Sequence, residues 1–179
     1  MSAKQKGKHR EVGCQAVWSL SSCKPGYGVS HVRDNDLDTY WQSDGPQPHL
    51  INVEFYRKTT ISRVAIYVDY QLDESYTPSK ISLRAGSSHT DLQQISTQEL
   101  DEPQGWINIY SSSNISSCVR AFVLQVAILS NHQNGRDTHI RQVKLYAPEL
   151  QQTTKPQTVQ PNFSTIEFRS LAKHCTPII

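Results

Sequence analysis

No run of this chain stays apolar for anything near the roughly 20 residues that a transmembrane helix needs. The first residues carry lysines and no apolar stretch, so the pattern of a secretion signal is missing. Cysteine is scarce. Cys14, Cys23, Cys118 and Cys175 stand singly, and without a C-x-x-C pair a zinc site built on paired cysteines is excluded. With no export signal, they are expected to be free thiols in a reducing compartment. There is no G-x-S-x-G turn, and no cysteine lies in a recognisable catalytic context. Net charge is low too: 18 Lys and Arg against 16 Asp and Glu leave a formal +2, too little to point to nucleic acid. The basic residues are scattered, apart from Lys4, Lys6, Lys8, His9 and Arg10, which read as a solvated, flexible head. No segment carries a sustained i, i+3, i+4, i+7 apolar stripe, and no internal repeat is visible.

What is present is a moderate apolar fraction, 36%, in a chain of 179 residues, enough for one domain with a core and room for tails. The apolar residues alternate. Ile51, Val53 and Phe55 do so first, then Val64, Ile66, Val68 and Tyr70, then Ile81, Leu83 and Ala85, then Ile107 and Ile109. Residues 119–129 are apolar on both faces and predict a central strand. Val143 and Leu145 end the series. Period-two patterning between polar loops predicts an all-β fold, an antiparallel β-sandwich of the jelly-roll kind. After Ala147-Pro148 the composition turns to Gln, Thr and Pro, so residues 148–179 read as an extended linker and tail. The domain itself is expected to span residues 11–147, after a head of residues 1–10.

One polar stretch dominates the surface chemistry. Residues 131–139, N-H-Q-N-G-R-D-T-H, lie between two strand-like runs and hold no aliphatic side chain. Asn134-Gly135 is a strong type I′ hairpin signal, because that turn needs φ > 0 at both central positions. Either this is an ordinary solvated hairpin, or it is a binding loop on a rigid scaffold. Asp34, Asn35, Asp36 and Asp38 resemble part of a calcium loop, but the glycine and the distal Glu are absent, so a solvated acidic turn is favoured and no metal or cofactor is expected. Loops distant in sequence share one end of a sandwich. Tyr40-Trp41-Gln42-Ser43-Asp44 and Glu74-Ser75-Tyr76-Thr77-Pro78-Ser79 are therefore candidates to join residues 131–139 in a polar, aromatic rim, with Trp41, Gln42, Tyr76 and Thr77 as possible rim residues. Such a rim suits an extended polar peptide or a glycan. It does not suit a bilayer, which would need exposed apolar tips.

Four uninterrupted runs carry a resemblance: W-S-L-S-S-C-K-P-G-Y-G-V, D-T-Y-W-Q-S-D-G, D-E-S-Y-T-P-S-K-I-S and L-S-N-H-Q-N-G-R-D-T-H-I-R-Q-V-K-L-Y. Together they resemble the DOC-domain subunit of the anaphase-promoting complex over roughly residues 10–148. The resemblance implies a galactose-binding-like jelly roll. It implies a non-catalytic, substrate-recognition subunit of a ubiquitin ligase in nucleus and cytoplasm. Its partners would be the other subunits, including a tetratricopeptide-repeat subunit, a WD40 coactivator and destruction-box substrates. With the coactivator it would form a co-receptor for destruction boxes and raise the processivity of ubiquitination. Carried onto this chain, the substrate-facing residues are Ser75, Asn134, Arg136, Asp137 and His139. Members of the family commonly end in Ile-Arg, which docks on the tetratricopeptide-repeat subunit. Here the final pair is Ile178-Ile179, which keeps the isoleucine and lacks the cation. The alternative reading of the fold class is a carbohydrate-binding β-sandwich module.

Overall fold

A computed structural model of the chain describes residues 9–148. Its strands are β1 (His9–Glu11), β2 (Ala16–Leu20), β3 (Trp41–Gln42), β4 (His49–Ile61), β5 (Arg63–Asp69), β6 (Pro78–Gly86), β7 (Gln93–Glu99), β8 (Gln104–Ser111), β9 (Val119–Asn131), β10 (His139–Ile140) and β11 (Gln142–Pro148). One short helix, α1 (Tyr70–Asp73), follows β5. Every strand pairing is antiparallel. One sheet has the order β2-β4-β9-β6-β7, the other β1-β11-β5-β8, and β10 pairs with β3 as a separate ribbon. The expected antiparallel β-sandwich is thus the observed fold.

The alternating residues make the core. Ile51, Val53 and Phe55 of one sheet and Val64, Ile66 and Val68 of the other are buried together with Leu83, Ile109, Leu145 and Trp41. β9 lies in the middle of its sheet, as its pattern predicts. Leu124, Val126 and Ile128 are buried, and so are Val123, Gln125 and Ala127 on the opposite face. There, Arg84 donates to the Gln125 amide oxygen at 3.2 Å and Gln125 donates to Asn52 at 2.8 Å. A polar rung therefore crosses three strands on the outer face.

Two expectations about the chain path are corrected. Residues 131–139 do not close a hairpin. β9 belongs to the five-stranded sheet and β11 to the four-stranded one, so the polar stretch is a crossover between sheets. Nor is the strand-like run that follows it a single strand. His139 and Ile140 pair with β3, then the chain changes partner at Arg141 and pairs with β5. A strand and the edge of the head were missed as well. β7, Q-Q-I-S-T-Q-E, is an exposed edge strand, so burial gives its sequence no alternation to display. His9 and Arg10 pair with Pro148 and Ala147 in β1. Truncation at the centre of β9 tests the core: Leu124→Ala is expected to cost about 2–5 kcal/mol by chemical denaturation. The half-exposed Phe122, changed to Ala, is expected to cost clearly less.

Candidate functional site

The first rim loop begins where β5 ends. The Asp69 carboxylate accepts from the Gln71 amide at 3.0 Å and caps α1. Glu74 then adopts φ 43°, and a 3-10 turn over Glu74–Tyr76 leads into β6. The second loop leaves β9 at Asn131. Gln133 and Asn134 have φ of 51° and 57°, and the Gly135 amide donates to the His132 carbonyl at 2.9 Å. The left-handed pair is thus Gln133-Asn134, one position earlier than the Asn134-Gly135 signal suggests. Gly135 has φ −56°, and its requirement is one of space. A Cβ on Gly135 would overlap the Ser75 carbonyl. That backbone contact is where the two loops meet.

Side chains from below hold the crossover. Gln47 donates to the Gly135 carbonyl at 3.0 Å, and His49 Nε2 donates to the Arg136 carbonyl at 2.7 Å. Asn131 donates to the Gly135 and Asp137 carbonyls at 3.2 and 2.8 Å. Thr138 and Ser43 exchange two bonds, Thr138 N to Ser43 Oγ at 2.8 Å and Ser43 N to the Thr138 carbonyl at 3.1 Å. The His132 amide donates to the Thr77 carbonyl at 2.9 Å. With the backbone groups engaged in this way, Asn134 and Arg136 present exposed side chains that form no hydrogen bond among the described residues. Ser75 and Asp137 are partly exposed beside them. Arg136 makes no ion pair with Asp137, so the guanidinium is not braced internally.

His139 is placed differently. It is only 8% exposed. Its ring lies between Tyr40 and Tyr76, each with centroids 4.2 Å away, and Tyr40 stacks in turn on Tyr27 at 5.1 Å. His139 Nδ1 donates to Asp73 at 3.1 Å, and His139 Nε2 is buried without a partner. Arg141 grips the same carboxylate from the other side, Nε to Oδ2 at 3.0 Å and Nη2 to Oδ1 at 2.9 Å. Its third nitrogen donates to the Leu37 carbonyl at 2.7 Å. Burial pushes the Asp73 carboxyl up, but the hydrogen bonds from His139 and Arg141 and the Arg141 charge outweigh it and hold the group below its ordinary 3.8. Burial works against the Arg141 cation too, and the bonds and charge of Asp73 overcome it, raising Arg141.

The remaining candidates fall beneath the surface. Trp41 is 0% exposed, with its indole N–H donating to the Ser22 carbonyl at 2.9 Å. Gln42 and Thr77 are also buried. These three are not rim platforms: β3 holds Trp41 and Gln42 under the loops, and Thr77 is buried where the 3-10 turn enters β6. Tyr76 alone of that set faces solvent. Ile178 and Ile179 lie outside the described residues. The acidic turn is a set of self-made caps: Asp34 accepts from the Asp36 amide and Thr39, and Asp36 accepts from the Asp38 amide. No cluster fit to hold a metal occurs among the described residues. Cys14, Cys23 and Cys118 are free thiols, and Cys175 lies outside the described residues.

Comparison with known proteins settles the family. The sequence pattern described as "Anaphase-promoting complex, subunit 10" matches residues 1–173. This chain belongs to that family. It is 53% identical over 163 residues to anaphase-promoting complex subunit 10 of Drosophila melanogaster, covering 91% of this chain and 83% of the relative. Its identity to the human subunit 10 is 59% over 142 residues, covering 79% and 77%. Among solved structures, a family 32 carbohydrate-binding module of Clostridium perfringens in complex with galactose superposes with a TM-score of 0.66 at 12% identity, over 78% of this chain and 100% of that one. That likeness concerns the fold alone.

In this chain the pattern-based reading missed Asp73, Arg141 and Tyr27 as supports of the rim, and named Tyr40 and Asn131 only within their stretches. Arg141 carried one usable signal, a cation within an apolar strand run. Asp73 lies 68 residues from it, which no local pattern can join. Two outcomes test the geometry. Gly135→Ala is expected to separate the loops, lowering amide-exchange protection in both while Arg136→Ala leaves it unchanged. Removing the Asp73 partner by Arg141→Met is expected to cost about 3–5 kcal/mol in urea unfolding, the range for breaking a buried pair. The pH dependence follows from the lowered Asp73 group. The unfolded chain takes up the proton first, so its contribution is complete above the ordinary 3.8 and is lost as pH falls through the lower folded value. Asp73→Asn is expected to flatten the stability curve in that acid range.

Proposed function

We propose that the chain is a non-catalytic, substrate-recognition subunit of the anaphase-promoting complex, working in nucleus and cytoplasm. It acts with a WD40 coactivator as co-receptor for destruction-box degrons and promotes processive ubiquitination in the cell cycle. The observation that carries this reading is the Gly135–Ser75 contact. It fuses two loops into one ridge and leaves Asn134, Arg136 and Tyr76 exposed along it. An extended degron would meet an amide that donates and accepts, an unbraced guanidinium fork and a ring face. Ser75 and Asp137, partly exposed beside them, would offer a hydroxyl and a carboxylate to the same strand of peptide. His139 contributes from below: it stacks on Tyr76 at an interplanar angle of 10° and fixes that ring.

One further observation supports a binding role over a catalytic one, and another favours a peptide over a carbohydrate. The His139–Asp73 pair resembles part of a hydrolytic triad, yet no hydroxyl or thiol reaches His139 Nε2 among the described residues. The carbohydrate alternative draws on the fold, and the burial of Trp41 removes the aromatic platform it would use.

The test uses coactivator, chain and a destruction-box peptide. Arg136→Ala is expected to weaken coactivator-dependent capture by about tenfold or more, the scale of losing hydrogen bonds to a charged group. Asn134→Gly is the sharper companion, since glycine keeps the left-handed backbone and deletes only the amide. Undiminished capture in both variants, with folding intact, refutes the site.

A further inference from the structure

The sheet on the far side of the core from β9 carries a second built surface. On its outward face the register sets Trp106 opposite Tyr67, and Arg63 opposite Tyr146, with Ala65 between Asn108 and Lys144. The rings and cations are held in pairs. Arg63 lies over Tyr146 at 4.0 Å and Lys144 over Trp106 at 5.1 Å, while Tyr67 meets Trp106 edge-on at 5.5 Å. Trp106 is 43% exposed. Neither Arg63 nor Lys144 takes part in an ion pair among the described residues. The carboxylates on the strands of this sheet bond to backbone amides and to neither cation: Glu11 accepts from the Gly13 amide at 3.0 Å, and Asp69 caps α1. The face therefore combines two cations that form no ion pair among the described residues with three large rings around a small residue. Trp, Tyr and Arg are the residue types enriched where proteins bind each other.

We propose that this face is a docking surface for an acidic segment of another protein subunit. Charge complementarity selects that occupant. Carboxylates would reach Arg63 through its fork and Lys144 as a point charge, while an apolar side chain would fill the shallow floor at Ala65 between the ring walls. The surface is separate from the loop ridge, because its residues lie along β5, β8 and β11 and the ridge lies on the connections that leave β5 and β9.

The experiment places a photo-crosslinking residue at Asn108 in the full chain and reconstitutes the anaphase-promoting complex from purified subunits. The expected result is a cross-link to one acidic segment of another subunit. Charge reversal, Arg63→Glu with Lys144→Glu, is expected to lower its yield about tenfold or more, and added salt to lower it in the parent chain, as for charges at an interface. Should the reversed chain fold poorly, Arg63→Gln with Lys144→Gln must show the same loss and a flatter salt dependence. Degron capture by the chain and coactivator alone stays unchanged in either variant, which separates this surface from the ridge. A cross-link to a neutral or basic segment, to nucleic acid or to a second copy of the chain overturns the proposal. So does the absence of any cross-link, or a yield indifferent to charge reversal.

Discussion

Asp73 is a carboxylate taken out of water. It is tolerable there because Arg141 meets it with two parallel N–H groups and His139 with a third. Much of the rim follows from this arrangement. An ionised Asp73 accepts from His139 Nδ1, so that nitrogen carries the proton and the imidazole plane is fixed. The fixed plane is what Tyr40 and Tyr76 stack against. Each such ring pair is worth about 0.5–1.5 kcal/mol beyond area burial. Arg141 also ties the acidic turn to the same point through the Leu37 carbonyl. Three connections far apart in sequence are thereby locked at one end of the sandwich.

The second constraint is steric. Loop ends in a sandwich are neighbours by topology, but neighbouring is not the same as forming one surface. Gly135 makes the difference, since only a residue without Cβ lets the crossover backbone rest on the Ser75 carbonyl. The crossover's carbonyls are spent on Gln47, His49 and Asn131. Exposed side chains on such a braced backbone lose little freedom when a ligand arrives, which favours recognition of an extended peptide.

The sandwich was legible because its core residues alternate, and alternation is a local property that buried strands enforce. β9 was legible for the complementary reason, burial on both faces. β7 was not, since its side chains meet solvent and nothing constrains their order. The loop at 131–139 announced itself through polarity and a turn dipeptide, and both proved informative about location. The dipeptide misled about geometry: a hairpin signal takes no account of which sheet the next strand joins. Of the residues the resemblance names, Ser75 is partly exposed and Asn134 and Arg136 are exposed, whereas His139 lies below the surface, as does Trp41. The Asp73–Arg141 pair was invisible, because a long-range ion pair leaves no trace in local pattern.

The central claim is that the ridge of Ser75, Asn134 and Arg136 receives the degron. The most direct measurement is site-specific cross-linking from a destruction-box peptide to the chain, in the presence of coactivator. Cross-links concentrated at residues 74–77 and 133–137, and abolished by an unlabelled destruction box, are the predicted result. Cross-links confined to the body of either sheet, or insensitive to the competing peptide, would contradict the account.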